Sequence, residues 1–456
     1  MSEIQVSRLS KLRSRGAQAS WMAADQVLSS GTNLLLLLLV LRTSSGSVFG
    51  AFSAAVIVQG LLLGSSRALI GEVLLLRMGR SPETRRQDRG LALTLVLGSS
   101  AVFGLALAAV GAFLPEPLRG FFLVIGVAVP FVHVQDLQRY GAFAVAQPRT
   151  AVALDLGWLV VQAGTSAILL TLTPQPRDFV LAWAAGAAVS AAAGLFITRW
   201  APSLRGIHAV VLEERGRSGS FFGDFALSAG VAQAAFLGSS GVLTLAGFGL
   251  LRFALTVVSA LTNVLSSARI LTLGFFGRRR IPDRATWQLF WGAGATYVSI
   301  TVMFVGFLLI MPRHVGMLIF GPLWLQAVPL LGLAAIVEAI RVASFPAIDF
   351  LKAFIAGSAL VTTRSIVGLI TASSLLVGGA VAGPRGALVA LAAAYLLALA
   401  LWLRRVQVSN RRMQTTPAAS QRLSVGVHRP SRQTTAPPEN RERHPDRGPA
   451  RRPPGP

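Results

Sequence analysis

Long apolar runs, separated by short connections rich in Arg, Pro or Gly, dominate the chain from residue 20 to residue 403. A helix needs roughly 20 mostly apolar residues to cross about 30 Å of hydrocarbon. The pattern supplies about twelve such segments, at 20–41, 48–76, 91–113, 120–138, 149–173, 178–198, 222–244, 245–276, 287–311, 324–346, 358–380 and 384–403. The runs are uniformly apolar, without the strict alternation of a membrane barrel, so helices that satisfy their own backbone are the form that fits. An all-α polytopic membrane protein is therefore predicted. The least marked boundary is that between the seventh and eighth segments, because Gly241 to Gly249 holds almost no polar turn.

The polar positions that interrupt these runs repeat. Asp25-x-x-Leu28-Ser29-x-Gly31 returns as Asp224-x-x-Leu227-Ser228-x-Gly230, each time at the start of an apolar run. Phe52 with Ser65-Ser66 is matched by Phe253 with Ser266-Ser267, and Asp136-x-x-Arg139 by Asp349-x-x-Lys352. Several echoes at nearly one offset point to internal duplication. Each half holds an even number of segments, so both start from the same face of the membrane and form two parallel six-helix bundles. Duplicated bundles of this kind are typical of alternating-access transporters, whose substrate site lies where the repeats meet. The expected layout is a basic arm (1–16), a first bundle (17–200), a polar connector (201–220), a second bundle (221–405) and a tail (406–456). Rich in Pro and Arg, the tail buries too little apolar surface to offset its ordering entropy and is expected to be disordered.

Composition narrows the chemistry. Charged residues make up 13% of the chain and hydrophobic ones 53%, against about a quarter charged in soluble domains. The absence of cysteine excludes disulfides, thiolate metal sites and thiol nucleophiles. The five histidines show no metal-ligand spacing, and no phosphate-binding loop, nucleophile elbow or dinucleotide fingerprint is present. No enzymatic role, cofactor or metal is expected. A net charge of +24 would suit nucleic acid, but the arginines cluster in the N-terminal arm, in 77–89, in 199–217 and at Arg278 to Arg280, alternating with connections that carry about one basic residue each. That is the positive-inside pattern; it explains the excess without nucleic acid and places both termini in the cytoplasm. The first apolar run is span-length and lacks a cleavage-site pattern, so it is expected to stay as the first helix. The preference for Arg over Lys, with abundant Ala and Gly, favours a bacterial plasma membrane.

Ionisable residues inside spans are costly and mark function by default. Here they are mainly cationic: Arg67, Arg252, Arg269, Arg341 and Arg364, against Asp25, Glu72, Asp155, Asp224 and Glu338. Arginines in a cleft suit an anionic ligand, above all a phosphate or pyrophosphate held in bidentate fashion. Arg67, Arg252 and Arg364 have no acidic partner three or four residues away on their own helix and are the leading cleft candidates. Arg341 is a fourth, though Glu338 stands three residues before it and the two could neutralise each other. Asp25 and Asp224 either stabilise helix N-termini or serve a gate or proton coupling. Asp155 is a further candidate proton carrier without an acidic equivalent in the second half, where Ser365 or a neighbour falls. Arg269, Glu72 and the Asp136/Arg139 and Asp349/Lys352 pairs lie near helix ends, where anchoring and snorkelling also account for them.

The chain resembles the superfamily of multidrug, oligosaccharidyl-lipid and polysaccharide (MOP, MATE-like) exporters, in its polysaccharide flippase branch. The resemblance is carried by Ser20-Trp21-Met22-Ala23-Ala24-Asp25-Gln26, by Phe49-Gly50-Ala51-Phe52-Ser53, by Gln135-Asp136-Leu137-Gln138-Arg139-Tyr140 through Gln147-Pro148-Arg149 to Asp155, and by Phe320-Gly321-Pro322-Leu323-Trp324 through Val328-Pro329-Leu330-Leu331. It implies a flippase that moves a polyprenyl-pyrophosphate-linked oligosaccharide between leaflets for cell-surface polysaccharide biosynthesis, with membrane lipids and polysaccharide polymerase or glycosyltransferases as partners. The scarcity of deep acids separates the chain from the drug-exporting branch. Two alternatives stay open: a proton- or sodium-coupled multidrug or metabolite exporter of the same fold, and a non-transporting membrane scaffold for cell-envelope enzymes. A major-facilitator transporter fits less well, because the loop at Arg77-Met78-Gly79-Arg80 lacks that family's preceding Gly and Asp.

Overall fold

A computed structural model describes residues 3–80, 84–277, 282–354 and 358–415. The described residues are helices joined by short turns. The first half comprises α1 (Glu3–Thr43), α2 (Gly46–Ser66, continued by a π-helical turn Arg67–Gly71 into Glu72–Arg80), α3 (Arg85–Ala112), α4 (Leu118–Ala144), α5 (Pro148–Leu169) and α6 (Pro176–Thr198). The second comprises α7 (Ile207–Phe225, a π turn Ala226–Gly230, then Val231–Val242), α8 (Leu245–Gly277), α9 (Arg284–Ile310) and α10 (Leu323–Ala343 with Phe345–Phe354), a short helix Arg313–Phe320 lying before α10. The last helical stretch, Ser358–Thr415, is two helices, α11 and α12, divided at Ala382 and Gly383, where φ turns to +61° at Gly383 just before Pro384. Every predicted span falls on one of these helices, and the protein is a polytopic all-α membrane protein of two six-helix bundles.

Element ends differ from expectation in instructive places. The seventh and eighth spans are parted by Leu243 and Thr244 alone, Leu243 adopting an extended conformation. Much of the expected connector is helical, since α7 begins at Ile207, and the described part of the N-terminal arm belongs to α1. Helix α12 continues to Thr415, beyond the expected end of the bundle; the rest of the expected disordered tail lies outside the described residues.

In lipid, helices gain little from hiding apolar surface, and small residues that let backbones touch become the main packing device. The two halves meet in this way where α2 crosses α8. A Cβ on Gly50 would lie 2.1 Å from the carbonyl oxygen of Leu245, and one on Gly249 would lie 2.1 Å from that of Gly46. Only glycine fits at either position. Beside this crossing Phe49 packs edge-on to Phe253 at 6.3 Å, and Phe253 in turn meets Phe320 and Trp324.

The halves meet again at the opposite end of α2. Arg77 donates to Asp88 of α3 at 3.0 Å and to Glu213 and Glu214 of α7 at 2.9 and 3.1 Å. Asp88 and Glu214 are both buried, so one guanidinium bridges carboxylates from both halves, with Arg217 also pairing Glu214.

Candidate functional site

Odd-numbered helices begin, and even-numbered helices end, at the face where the chain starts. At that level the first half gathers five charged side chains from four helices. Arg67, the first residue of the π turn in α2, grips Asp136 of α4 with two hydrogen bonds of 2.7 and 2.8 Å. One turn on, Arg139 reaches Asp25 of α1 at 2.5 and 3.3 Å and Asp155 of α5 at 3.3 Å, with Asp136 at 3.5 Å. Gln135 also donates to Asp155 at 2.7 Å. The three carboxylates are almost wholly buried, at 2–4% exposure. Charges so far from water persist only when each is paired, and Arg139 is the hub that pairs three acids.

The second half builds the corresponding group from the corresponding helices. Arg269 of α8 grips Asp349 of α10 with bonds of 2.6 and 3.1 Å, reproducing Arg67 and Asp136. Lys352 stands where Arg139 stands. Arg364 of α11, the fifth helix of this half as α5 is of the first, pairs with Asp224 of α7 at 2.8 Å. Arg269, Asp349, Arg364 and Asp224 all lie within electrostatic range of Lys352. Glu72 of α2, expected as an interfacial anchor, lies within range of both Arg67 and Asp224 and so sits at the seam between the groups.

Between the halves, nearer the opposite face, lies a cavity of about 470 Å³ lined by α1, α2, α4, α6 and α8. Its polar wall consists of Gln26, Ser30, Asn33, Ser53, Gln59, Thr256, Ser259 and Arg252. No carboxylate among the described residues lines it. Arg252 has no ion-pair partner among the described residues; its guanidinium lies over the Phe236 ring at 5.0 Å, and its Nε is buried without a hydrogen-bond acceptor. An apolar cavity of about 240 Å³ adjoins it and shares Leu34, Leu37, Phe49 and Thr256 with it.

The arginines singled out by sequence thus occupy three different settings. Arg252 lines the cavity. Arg67 and Arg364 lie in the two charge groups, held by acids on other helices, and Arg341 is held by Glu338 at 2.5 and 2.8 Å against the Phe345 ring. Neither Arg67, Arg364 nor Arg341 lines the cavity. Asp25, Asp155 and Asp224 belong to the charge groups. Sequence reasoning gave no role to Gln59, Asn33 or Gln26 and treated Arg139 as a helix-end residue. The Asp136-x-x-Arg139 echo was the signal that could have placed Arg139 with the acids.

No family model matches the chain, and no curated protein matches it in sequence. Solved structures do match. An inward-facing multidrug resistance MATE family transporter of the MOP superfamily is 12% identical, with a TM-score of 0.58, over 88% of this chain and 96% of that one. A MATE transporter of Vibrio cholerae is 14% identical, with a TM-score of 0.55, over 88% and 98%. The lipid II flippase MurJ in an inward closed conformation is 11% identical, with a TM-score of 0.53, over 91% and 94%. At such identities the likeness is one of fold: this chain has the MATE-like fold of the MOP superfamily.

Proposed function

We propose that this protein is a member of the MOP superfamily that flips a polyprenyl-pyrophosphate-linked oligosaccharide across the bacterial plasma membrane by alternating access. The observation that carries this reading is the cavity between the halves, whose described lining holds no carboxylate and whose Arg252 has no ion-pair partner among the described residues. A guanidinium removed from water needs an anion, and amide and hydroxyl side chains around it suit sugar hydroxyls. The adjoining apolar cavity supports a ligand with a hydrocarbon part, and about 470 Å³ falls within the usual range of roughly 300–1,000 Å³ for ligand sites, enough for the anionic head.

The distribution of basic connections supports a cytoplasmic side for both termini and both charge groups. There Arg67 and Arg364, and at the end of α10 Arg341, are the cations a pyrophosphate would meet on its way in, once drawn from their acids. Asp25, Asp155 and Asp224 are the carboxylates whose pairing would change as the cytoplasmic side opens.

The test is translocation of a fluorescent polyprenyl-pyrophosphate oligosaccharide in proteoliposomes. Arg252→Gln is expected to lower the rate at least tenfold while the protein still inserts and unfolds cooperatively. A rate equal to that of the unmodified chain would sink the flippase reading.

One observation favours a proton-coupled exporter of the same fold. Asp155 is buried, and its Oδ2 has no hydrogen-bond partner in a group where three acids share two arginines, a setting suited to carrying a proton. That reading predicts drug sensitivity on deletion, and unaltered susceptibility would count against it.

A further inference from the structure

Near the face where the chain starts, α2 runs against the first part of α7 in antiparallel register. A Cβ on Gly64 would lie 2.2 Å from the Phe225 ring. Ser218 donates its hydroxyl to the Leu69 carbonyl at 3.0 Å, and Arg77 donates to Glu213 and Glu214. Rising numbers in one helix meet falling numbers in the other, so these contacts form one seam between the halves. Each helix also carries a π turn within or beside the seam, Arg67–Gly71 in α2 and Ala226–Gly230 in α7. Turns of that kind are frequent at functional sites along helices.

The charges of the seam can be divided without remainder. Arg77 has Asp88 as a partner inside the first half at 3.0 Å, and Glu214 has Arg217 as a partner one turn away inside the second. Asp88 is held further by the Thr84 hydroxyl, which donates to it at 2.8 Å. Glu213 is 65% exposed, so water replaces Arg77 there. Buried charges that pair only across an interface are stranded when it parts, which is strongly unfavourable. Here each side keeps a complete ion pair, and the seam can open without leaving a buried charge alone. We propose that the α2–α7 seam is a reversible latch: the bridge from Arg77 to Glu213 and Glu214 holds the halves shut at this face and releases by exchange, Arg77 falling back on Asp88 and Glu214 on Arg217. The latch sets how readily the protein opens rather than what it carries, so it goes beyond the flippase reading and holds equally for an exporter.

The experiment exploits the absence of cysteine. Cysteines introduced at Arg86 and Arg215, both exposed and outside the bridge, are spin-labelled in the full chain in proteoliposomes, and their separation is measured by pulsed electron paramagnetic resonance. The unmodified bridge is expected to give mainly one short separation. Arg77→Gln should raise the ratio of long to short separations about tenfold, as expected when charge-assisted hydrogen bonds across the seam are lost. Glu214→Gln should shift it the same way; it leaves Arg77 on Asp88 and the partly exposed Arg217 to water, so this variant is expected to fold even if Arg77→Gln does not. A folded variant of either kind whose distribution matches that of the unmodified bridge overturns the latch and makes the seam a fixed brace. Translocation of the fluorescent polyprenyl-pyrophosphate oligosaccharide is scored separately: its absence in the unmodified chain sinks the flippase reading and leaves the distance result to decide the latch.

Discussion

The first half of the molecule closes its charge group around one hub, whereas the second half splits the same group into separate pairs. In both, an arginine late in the second helix grips an aspartate late in the fourth: Arg67 with Asp136, and Arg269 with Asp349. The difference lies in the fifth helix of each half. Asp155 there brings Arg139 to serve acids on α1, α4 and α5; Arg364 there pairs with Asp224, and Lys352 has no carboxylate at ion-pairing distance among the described residues. Three acids and two bases become two acids and three bases. Duplication has preserved the strut and inverted the charge beside it, so one half holds surplus acid and the other surplus base at the same depth.

Removing the hub should show the contrast most strongly. Arg139→Leu strands the buried Asp25 and Asp155 together, and loss of one partner from a buried pair costs about 3–5 kcal/mol; little folded protein is expected from membrane extraction and size-exclusion chromatography. Recovery at normal yield and melting temperature would mean that the first group is no more cohesive than the second. Asp349→Asn breaks the second strut but leaves Arg269 partly exposed and stacked 4.0 Å from the Phe345 ring centre. A cost of roughly 2 kcal/mol is expected, read as a lower thermal midpoint in detergent, and it should be clearly smaller than that of Asp136→Asn. The smallest effect should come from Asp224→Asn. Asp224 is 64% exposed, and an exposed pair is worth up to about 1 kcal/mol. A shift as large as that of Asp349→Asn would show that the second group is also one network.

Some of this was legible in the chain and some was not, for one physical reason. Bilayer thickness fixes the length of a span, so the twelve segments could be read from apolar runs alone. Pairs on one helix could be read as well: Glu338 and Arg341 stand three apart and do meet. Arg67 and Asp136 stand 69 residues apart, and no pattern along either helix announces their contact. The sequence therefore treats Arg67, Arg252 and Arg364 as equals, and only the packing of neighbouring helices separates the cavity arginine from the two that face acids.

The contact of Gly50 with Gly249 has a mechanical consequence. Two backbones touching without side chains between them make a fulcrum, and α2 extends from it to Arg80, a lever of about 45 Å at roughly 1.5 Å per residue. A tilt of about 10° at the crossing would sweep the far end of that lever through roughly 8 Å while the glycines barely part. Such a sweep exceeds the reach of the Arg77 ion pairs. A methyl group at the fulcrum would be magnified at the other face of the membrane in the same proportion.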